Sequence, residues 1–408
     1  MSVSRREILL GGLALPALAA KKPSKKPSKK KPAAEKPSVL LIVVDGLPTW
    51  LIGCYGNKEI LTPNIDRLAR TGTRFQRHFV AVPEAEGNFR TLITGRTPMQ
   101  FGGAQGLLAD DVTLEKMLGG GGYACHATGR RPAAEVTAET LQLLDQIDGK
   151  PTFWMVRYSD LRPPYDGIPA KFQELYAKQR FENYSVEPPP ANVAGDREML
   201  ADRLASRRKA AAGISAIDEA VGSLVHKLYE KQAIDHTLVI LTATCGCLFG
   251  SHGLWGAGDA TDPPNMYEES VAVPLIWSWP GRVPAEGIQV ELVSTYDLVP
   301  SLAEITEIEA PKRNLCGHSY VPLATGKLPA KKPQPWRQAV CAREGNTDMA
   351  RVERYKLVLR NDGKGPNELY DHSNDAGERT NQADDDQYLT VRSSLTAEIQ
   401  KWKLDYSG

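Results

Sequence analysis

Six cysteines, Cys54, Cys125, Cys245, Cys247, Cys316 and Cys341, are too few for a disulfide scaffold in 408 residues. Their spacing fixes no pairing. The apolar run near the N-terminus, Ile8 to Leu18, is too short to cross a bilayer, and no internal repeat is visible. Formal charge nearly cancels, with 50 Lys+Arg against 49 Asp+Glu. No aromatic residue interleaves the lysines of the N-terminal region, which argues against nucleic-acid binding. Between His78 and Phe101 there is neither a Cys nor a Ser.

What is present reads as a loop-rich globular chain, 41% apolar and 24% charged, with 35 Gly and 29 Pro. Its length suits one large α/β domain with a smaller appendage, or two domains of ordinary size. The first 20 residues pair Arg5-Arg6 with the short apolar run and small residues at Ala17, Ala19 and Ala20. They resemble a bacterial twin-arginine export signal, so a periplasmic or extracellular location is expected. Residues 21–37 are Lys/Pro/Ser-rich, with no apolar side chains to bury, and read as an extended tether. Such a tail can contact anionic envelope polymer or lipid through charge, although a solvated spacer is the simpler reading. Residues 1–36 hold ten of the basic and two of the acidic residues, leaving 40 against 47 in the remainder. The neutral total therefore combines a basic tail with an acidic body.

From Ser38 onward, "SVLLIVVDGL" reads as a buried parallel strand that delivers Asp45 at its carboxyl end, where ligands of open α/β sheets collect. "TPNIDRLARTG" predicts a helix started by Pro63 and stopped near Gly72. "GTRFQRHFVAV", "TFWMVRYS" and "HTLVILTAT" predict further strands, with a long helix around "AAAGISAIDEAVGSLVHKLYEKQ". Strands alternating with helices predict a mostly parallel sheet covered on both faces. Beyond Pro311, "RVERYKLVLRN", "NELYDHSND" and "LTAEIQKWK" predict short antiparallel strands and a closing helix. The expected division is 38–310 for the main domain and 311–408 for a C-terminal subdomain.

Nine phrases occur in one order: "LLIVVDGL", "CYGN", "TPNIDRLARTGTRF", "LITGRTP", "SAIDEAVG", "GSHGLWG", "YEESVAVPLI", "DLVPSLAEI" and "NELYDHSNDAGERTN". In that order they resemble the sulfatase family of the alkaline-phosphatase superfamily, from Ser38 to the C-terminus. The resemblance implies an α/β/α sandwich with a mostly parallel mixed sheet and a small C-terminal α+β subdomain. It also implies a formylglycine made from the Cys or Ser of a C/S-x-P-S/A-R motif, and a calcium ion held by Asp, Asn or His ligands.

With "LITGR" as anchor, the convertible residue falls on Ala85 and the motif arginine on Phe89. A small gap would bring Glu84 or Glu86 to the first position, and neither is convertible. The family's paired aspartates fall on Asp45-Gly46, and its Asp-Asn/His-Gly phrase on Thr244-Cys245-Gly246. Its Lys-x-His phrase falls on Arg130-Arg131-Pro132, its "PHPPY" histidine on Arg162, and a further lysine on Ala257. One carboxylate is left for an ion that takes six to eight oxygens. Neither calcium nor formylglycine is expected, and the resemblance implies a catalytically degenerate member.

Arg130 and Arg162, with Arg90 at the rim, are candidates for binding an oxyanion such as the sulfate of a sulfated glycan. The alternative is that they pair with Glu84, Glu86 or Asp160. With Asp45 the only matched acid, the pocket is expected to be cationic, and Asp45 itself to be held by loop amides. Cys245, Cys247 and His252 form a weaker soft-metal candidate beside the reading of inert thiols. Two other functions stay open: an active sulfuric- or phosphoric-ester hydrolase using Thr91 or Glu86 as a replacement nucleophile, and a structural cell-envelope protein that acts through its tail.

Overall fold

The computed structural model describes residues 36–101, 106–108, 110–327 and 336–407. The export signal expected over 1–20 and all but the last two residues of the tether expected over 21–37 lie outside them. The first nine strands are β1 (Ser38–Val44), β2 (Thr73–Phe75), β3 (His78–Phe79), β4 (Ala124–Gly129), β5 (Thr152–Tyr158), β6 (Thr237–Ala243), β7 (Leu275–Ser278), β8 (Gly287–Gln289) and β9 (Val293–Ser294). Seven of them form one sheet in the order β4-β5-β1-β6-β7-β2-β8. Pairing is parallel from β4 through β5 and β1 to β6, antiparallel at β6–β7 and β7–β2, and parallel at β2–β8. The sheet is thus mixed and mostly parallel, as the sequence predicts.

The helices are α1 (Pro63–Arg70), α2 (Ala85–Thr94), α3 (Leu114–Gly120), α4 (Ala133–Asp145), α5 (Ala170–Tyr176), α6 (Arg197–Ala201), α7 (Arg203–Glu230), α8 (Glu268–Val271), α9 (Leu298–Ile305), α10 (Val321–Ala324) and α11 (Leu389–Tyr406). Alternation along β1 decides which of them meet each face. Leu40, Ile42 and Val44 join the core that includes Ile217, Val221 and Leu224 of α7. Val39, Leu41 and Val43 join the opposite core, with Leu92 and Ile93 of α2, Leu118 of α3 and Leu302 of α9. An apolar strand buried on both faces needs helices on both, which is why its sequence shows no polar alternation. No helix among the described residues is long and apolar enough to cross a membrane.

Two local expectations differ from the structure. "GTRFQRHFVAV" is two strands: β2 belongs to the large sheet, while β3 pairs with β9 and its Phe79 bridges Ala272. The edge strand β4, "ACHATG", buries only Thr128 and has no apolar alternation, so nothing in its pattern announces it. Toward the C-terminus, β10 (Val340–Glu344), β11 (Thr347–Arg351), β12 (Tyr355–Leu359) and β13 (Glu368–Asp371) form an antiparallel meander. Helix α11 covers it through Leu395, Ile399 and Trp402 against Cys341, Leu357 and Leu369.

Candidate functional site

Register places three side chains at one point. Val43 pairs with Arg157 on β5 and with Thr242 on β6. Beyond the strand end, Asp45 N donates to Tyr158 O at 2.8 Å and Thr244 N to Val44 O at 3.0 Å. Asp45, Arg157 and Thr244 therefore continue the face that α2 covers. Asp45, 1% exposed, accepts from Thr244 Oγ1 at 2.7 Å and lies 3.0–3.2 Å from Arg157 Nε and Nη2. It is held by a guanidinium and a hydroxyl, not by the loop amides expected for it.

Arg157 is itself buried. Its Nη2 and Nη1 donate to Glu86 at 2.9 and 3.3 Å, and its guanidinium lies 4.1 Å from the centre of the Phe89 ring. Glu86 is half-exposed and also meets Arg130 Nη2 at 3.2 Å. Partial burial pushes the Glu86 carboxyl upward, but the hydrogen bonds and charge of Arg157, with the charges of Arg130 and Arg162, hold it below the usual carboxylate range.

Helix α2 starts at Ala85. Glu84 caps it, accepting from Glu86 N at 2.9 Å and Gly87 N at 2.7 Å. A Cβ on Gly87 would meet Val82 Cγ1 at 2.8 Å, so the backbone there is closely packed. Ala85, Cys245 and Ala257, three positions at which the resemblance implies reactive or polar groups, pack together as a small apolar cluster. Burial pushes the Cys245 thiol up to about 12 and the Cys247 thiol up to about 11, so both stay protonated at neutral pH.

Glu84, Ala85, Cys245 and Ala257 border a cavity of about 210 Å³ that Gly46, Arg162, Asp196, Cys247 and Asp259 also line. Arg162 is exposed there and makes no side-chain hydrogen bond among the described residues. Asp196 precedes α6 with a positive φ of 48° and does not cap it. Burial, then the charges of Asp259 and Glu198, raise its carboxyl above the ordinary range. A Cβ on Gly256, at φ +93°, would sit 3.2 Å from Asp196 Oδ2 and 3.7 Å from Asp259 Oδ1, so glycine keeps that wall open.

The expectation of a cationic pocket is thereby corrected. Glu84, Asp196 and Asp259 line it opposite Arg162, while Arg130 and Arg157 gather around Glu86. Glu84 caps α2 and Asp259 lies three residues past "GSHGLWG", while Asp196 comes from a loop that carries no recognisable phrase. Arg90 does not line the cavity; its guanidinium lies 5.2 Å from the Phe101 ring. Pro132 immediately precedes α4, whose Ala133 N donates to Asp160 at 2.9 Å. Thr91 is fully buried.

The soft-metal candidate is also corrected. His252 stacks on Tyr267 at 3.7 Å and faces Glu269 at 3.5 Å, and it does not gather with Cys245 and Cys247. Among the described residues the metal-competent group of three is Glu268, His372 and Glu378. There the buried Lys356 ammonium already sits on both carboxylates and on Met266 O.

The residues present do not fit the groups that the resemblance implies for active members. Asp45, the matched acid at the strand end, is occupied by Arg157, and Gly46, Ala85 and Cys245 offer no hard oxygen side chain for calcium. For formylglycine, Ala85 has nothing to oxidise, and the tight contact at Gly87 leaves no room for the motif proline. Sequence reasoning missed Arg157. Its signal was a lone charge near the carboxyl end of the otherwise apolar "TFWMVRYS".

Comparison with known proteins agrees with the fold. A family model described as sulfatase matches residues 37–134 and 129–308, and one for the C-terminal part of N-sulphoglucosamine sulphohydrolase matches 256–405. Human arylsulfatase A is 27% identical over 359 residues, 72% of this chain and 69% of that protein. The phosphonate monoester hydrolase of Agrobacterium radiobacter superposes with a TM-score of 0.77 at 20% identity, covering 91% of this chain and 96% of that one. A protein solved with its substrate D-glucosamine-2-N,6-O-disulfate gives 0.76 at 18% identity, with 91% and 98% covered. Strand order, motif order and family match agree, and the chain belongs to the sulfatase family of the alkaline-phosphatase superfamily.

Proposed function

We propose that this chain is an exported sulfatase-family protein that binds an anionic saccharide, such as a sulfated glycan, without cleaving it, and that it holds neither calcium nor formylglycine. The observation that carries the reading is the apolar cluster of Ala85, Cys245 and Ala257 at the start of α2, beside an Asp45 neutralised by Arg157. At that point there is no nucleophile to attack sulfur, and Glu84, Asp196 and Asp259 along the cavity do not gather closely enough to share one dication.

Recognition falls to two unlike walls. Arg162, which lines the cavity, and Arg130, which meets Glu86, offer guanidinium donors to a sulfate or carboxylate. Asp196 and Asp259 accept hydrogen bonds from the hydroxyl or amino groups of the attached sugar. The glucosamine disulfate held by the structural relative has both kinds of group, which supports the ligand class. Replacement nucleophiles draw no support: Thr91 is fully buried, and Glu86 is neutralised between two arginines.

The test pairs turnover with binding. Purified protein is expected to release no product from an aryl sulfate or an aryl phosphate, with or without added calcium, and its thermal midpoint to be unchanged by EDTA. Calorimetry with sulfated disaccharides is expected to give heat that Arg162→Ala abolishes. Turnover above a denatured control overturns the non-cleaving reading. Absence of heat, or heat unaffected by Arg162→Ala, overturns the binding site.

A further inference from the structure

Glu86 sits among arginines as an external anion would. Its two carboxylate oxygens meet Arg157 Nη2 and Nη1 at 2.9 and 3.3 Å, and Oε2 also meets Arg130 Nη2 at 3.2 Å. Arg162 acts on it through charge from the cavity side. One forked contact from Arg157 and a single contact from Arg130 on one pair of oxygens match the way guanidinium groups hold sulfate or phosphate.

The two partners are unequally fixed. Arg157 is 5% exposed at its side chain, held from behind by Asp45 and layered on Phe89. The Glu86 side chain is 49% exposed, and among the described residues its carboxylate bonds to nothing but the two arginines. The cation is built in, whereas the anion hangs on a flexible stem that can turn into solvent.

We propose that Arg157 and Arg130 form a binding site for a tetrahedral oxyanion, and that Glu86 is its displaceable internal occupant. This rests on the anion-binding reading above and adds how the ligand enters. Its sulfate or phosphate group replaces the Glu86 carboxylate, which swings out to water. Charge balance follows directly. Arg130 and Arg157 are in contact with Asp45 and Glu86, two cations against two anions, so this contact group is neutral while Glu86 is in place and carries one net positive charge once it leaves.

Glu86→Gln tests this, since the amide keeps the shape and removes the charge at a half-exposed position. Calorimetric titration with sodium sulfate, and in parallel with sodium phosphate, at constant ionic strength is expected to show at least tenfold tighter binding in Glu86→Gln than in the unaltered protein. Arg130→Ala in the Glu86→Gln background is expected to return the affinity to the unaltered value or below. If the unaltered protein binds sulfate and Glu86→Gln binds it no more tightly, the internal-occupant idea falls and the anion-binding reading stands. If neither protein binds sulfate, phosphate or a sulfated disaccharide, both fall. Tight binding that survives Arg130→Ala places the anion elsewhere and also overturns the proposal.

Discussion

Replacing Arg157 by leucine leaves Asp45 buried at 1% exposure with a single hydrogen bond, the one from Thr244 Oγ1 at 2.7 Å. Removing one partner of a buried ion pair costs about 3–5 kcal/mol, because the other charge stays desolvated. Loss of the guanidinium from the Phe89 ring adds about 0.5–2 kcal/mol. Glu86 contributes little, since its half-exposed carboxylate rehydrates. Unfolding entropy near 2.1 cal/mol/K per residue over the roughly 360 described residues gives about 0.8 kcal/mol/K. The thermal midpoint of Arg157→Leu should therefore fall by about 4–9 °C, measured by scanning calorimetry at pH 7 and one fixed scan rate.

The paired variant separates charge from shape. Asp45→Asn together with Arg157→Leu removes both charges and keeps a side chain for Thr244 to bond, so more than half of the lost midpoint should return. A fall below 1 °C in the single variant, or a double variant as unstable as the single, refutes the view that Arg157 serves chiefly to neutralise Asp45.

Two further predictions follow from the same geometry. Ala85→Cys, expressed where formylglycine is generated, should yield no aryl-sulfate turnover, because Phe89 and Gly87 stand where the motif needs arginine and proline; turnover above the parent protein sinks the fit argument. Asp196→Asn should raise the thermal midpoint at pH 7 and leave it unchanged near pH 3. The sign follows from a carboxyl raised by burial and by Asp259: the folded state holds the proton more tightly, so stability falls as pH rises from about 3.8 through the folded value, and the amide escapes that loss. A lower midpoint for Asp196→Asn at pH 7 would show that Asp196 has a stabilising partner instead.

The parts of the site legible in the sequence are those carried by regular elements. Asp45 ends an apolar strand and Ala85 sits at a fixed distance from "LITGR", so strand and motif register place both. Arg157 was legible in principle: period-two alternation along "TFWMVRY" puts it on the same face as Phe153 and Met155, toward α2. It went unread because a charge inside a buried strand has meaning only once its partner on the neighbouring strand is known. Asp196 and Asp259 come from loops whose course depends on tertiary packing. Without them the pocket's charge came out with the wrong sign.

Helix α2 shows why "LITGRTP" and "EAEGNF" read so differently within one segment. The C-terminal half is bound into the scaffold at every residue. Leu92 and Ile93 fill the core, Gly95 closes the helix at φ 71° against Val299, and Arg96 pairs with the buried Asp111. Thr97 Oγ1 reaches Tyr406 O at 2.9 Å, tying the turn to α11. Any of these side chains is costly to alter, whatever the site does. Over the first turn such duties fall on Glu84, which caps the helix, on Gly87, packed closely against Val82, and on Asn88, which accepts from Ala81 N at 3.0 Å and Thr295 Oγ1 at 2.8 Å. Ala85, Glu86 and Phe89 instead face the cavity, Arg130 and Arg157, and can change without unfolding the protein. A reactive residue at position 85 would be a matter of chemistry and not of fold. What stands around it in this chain is a neutralised, internally paired centre, and replacing single residues there should change ligand affinity before it changes stability, Arg157 excepted.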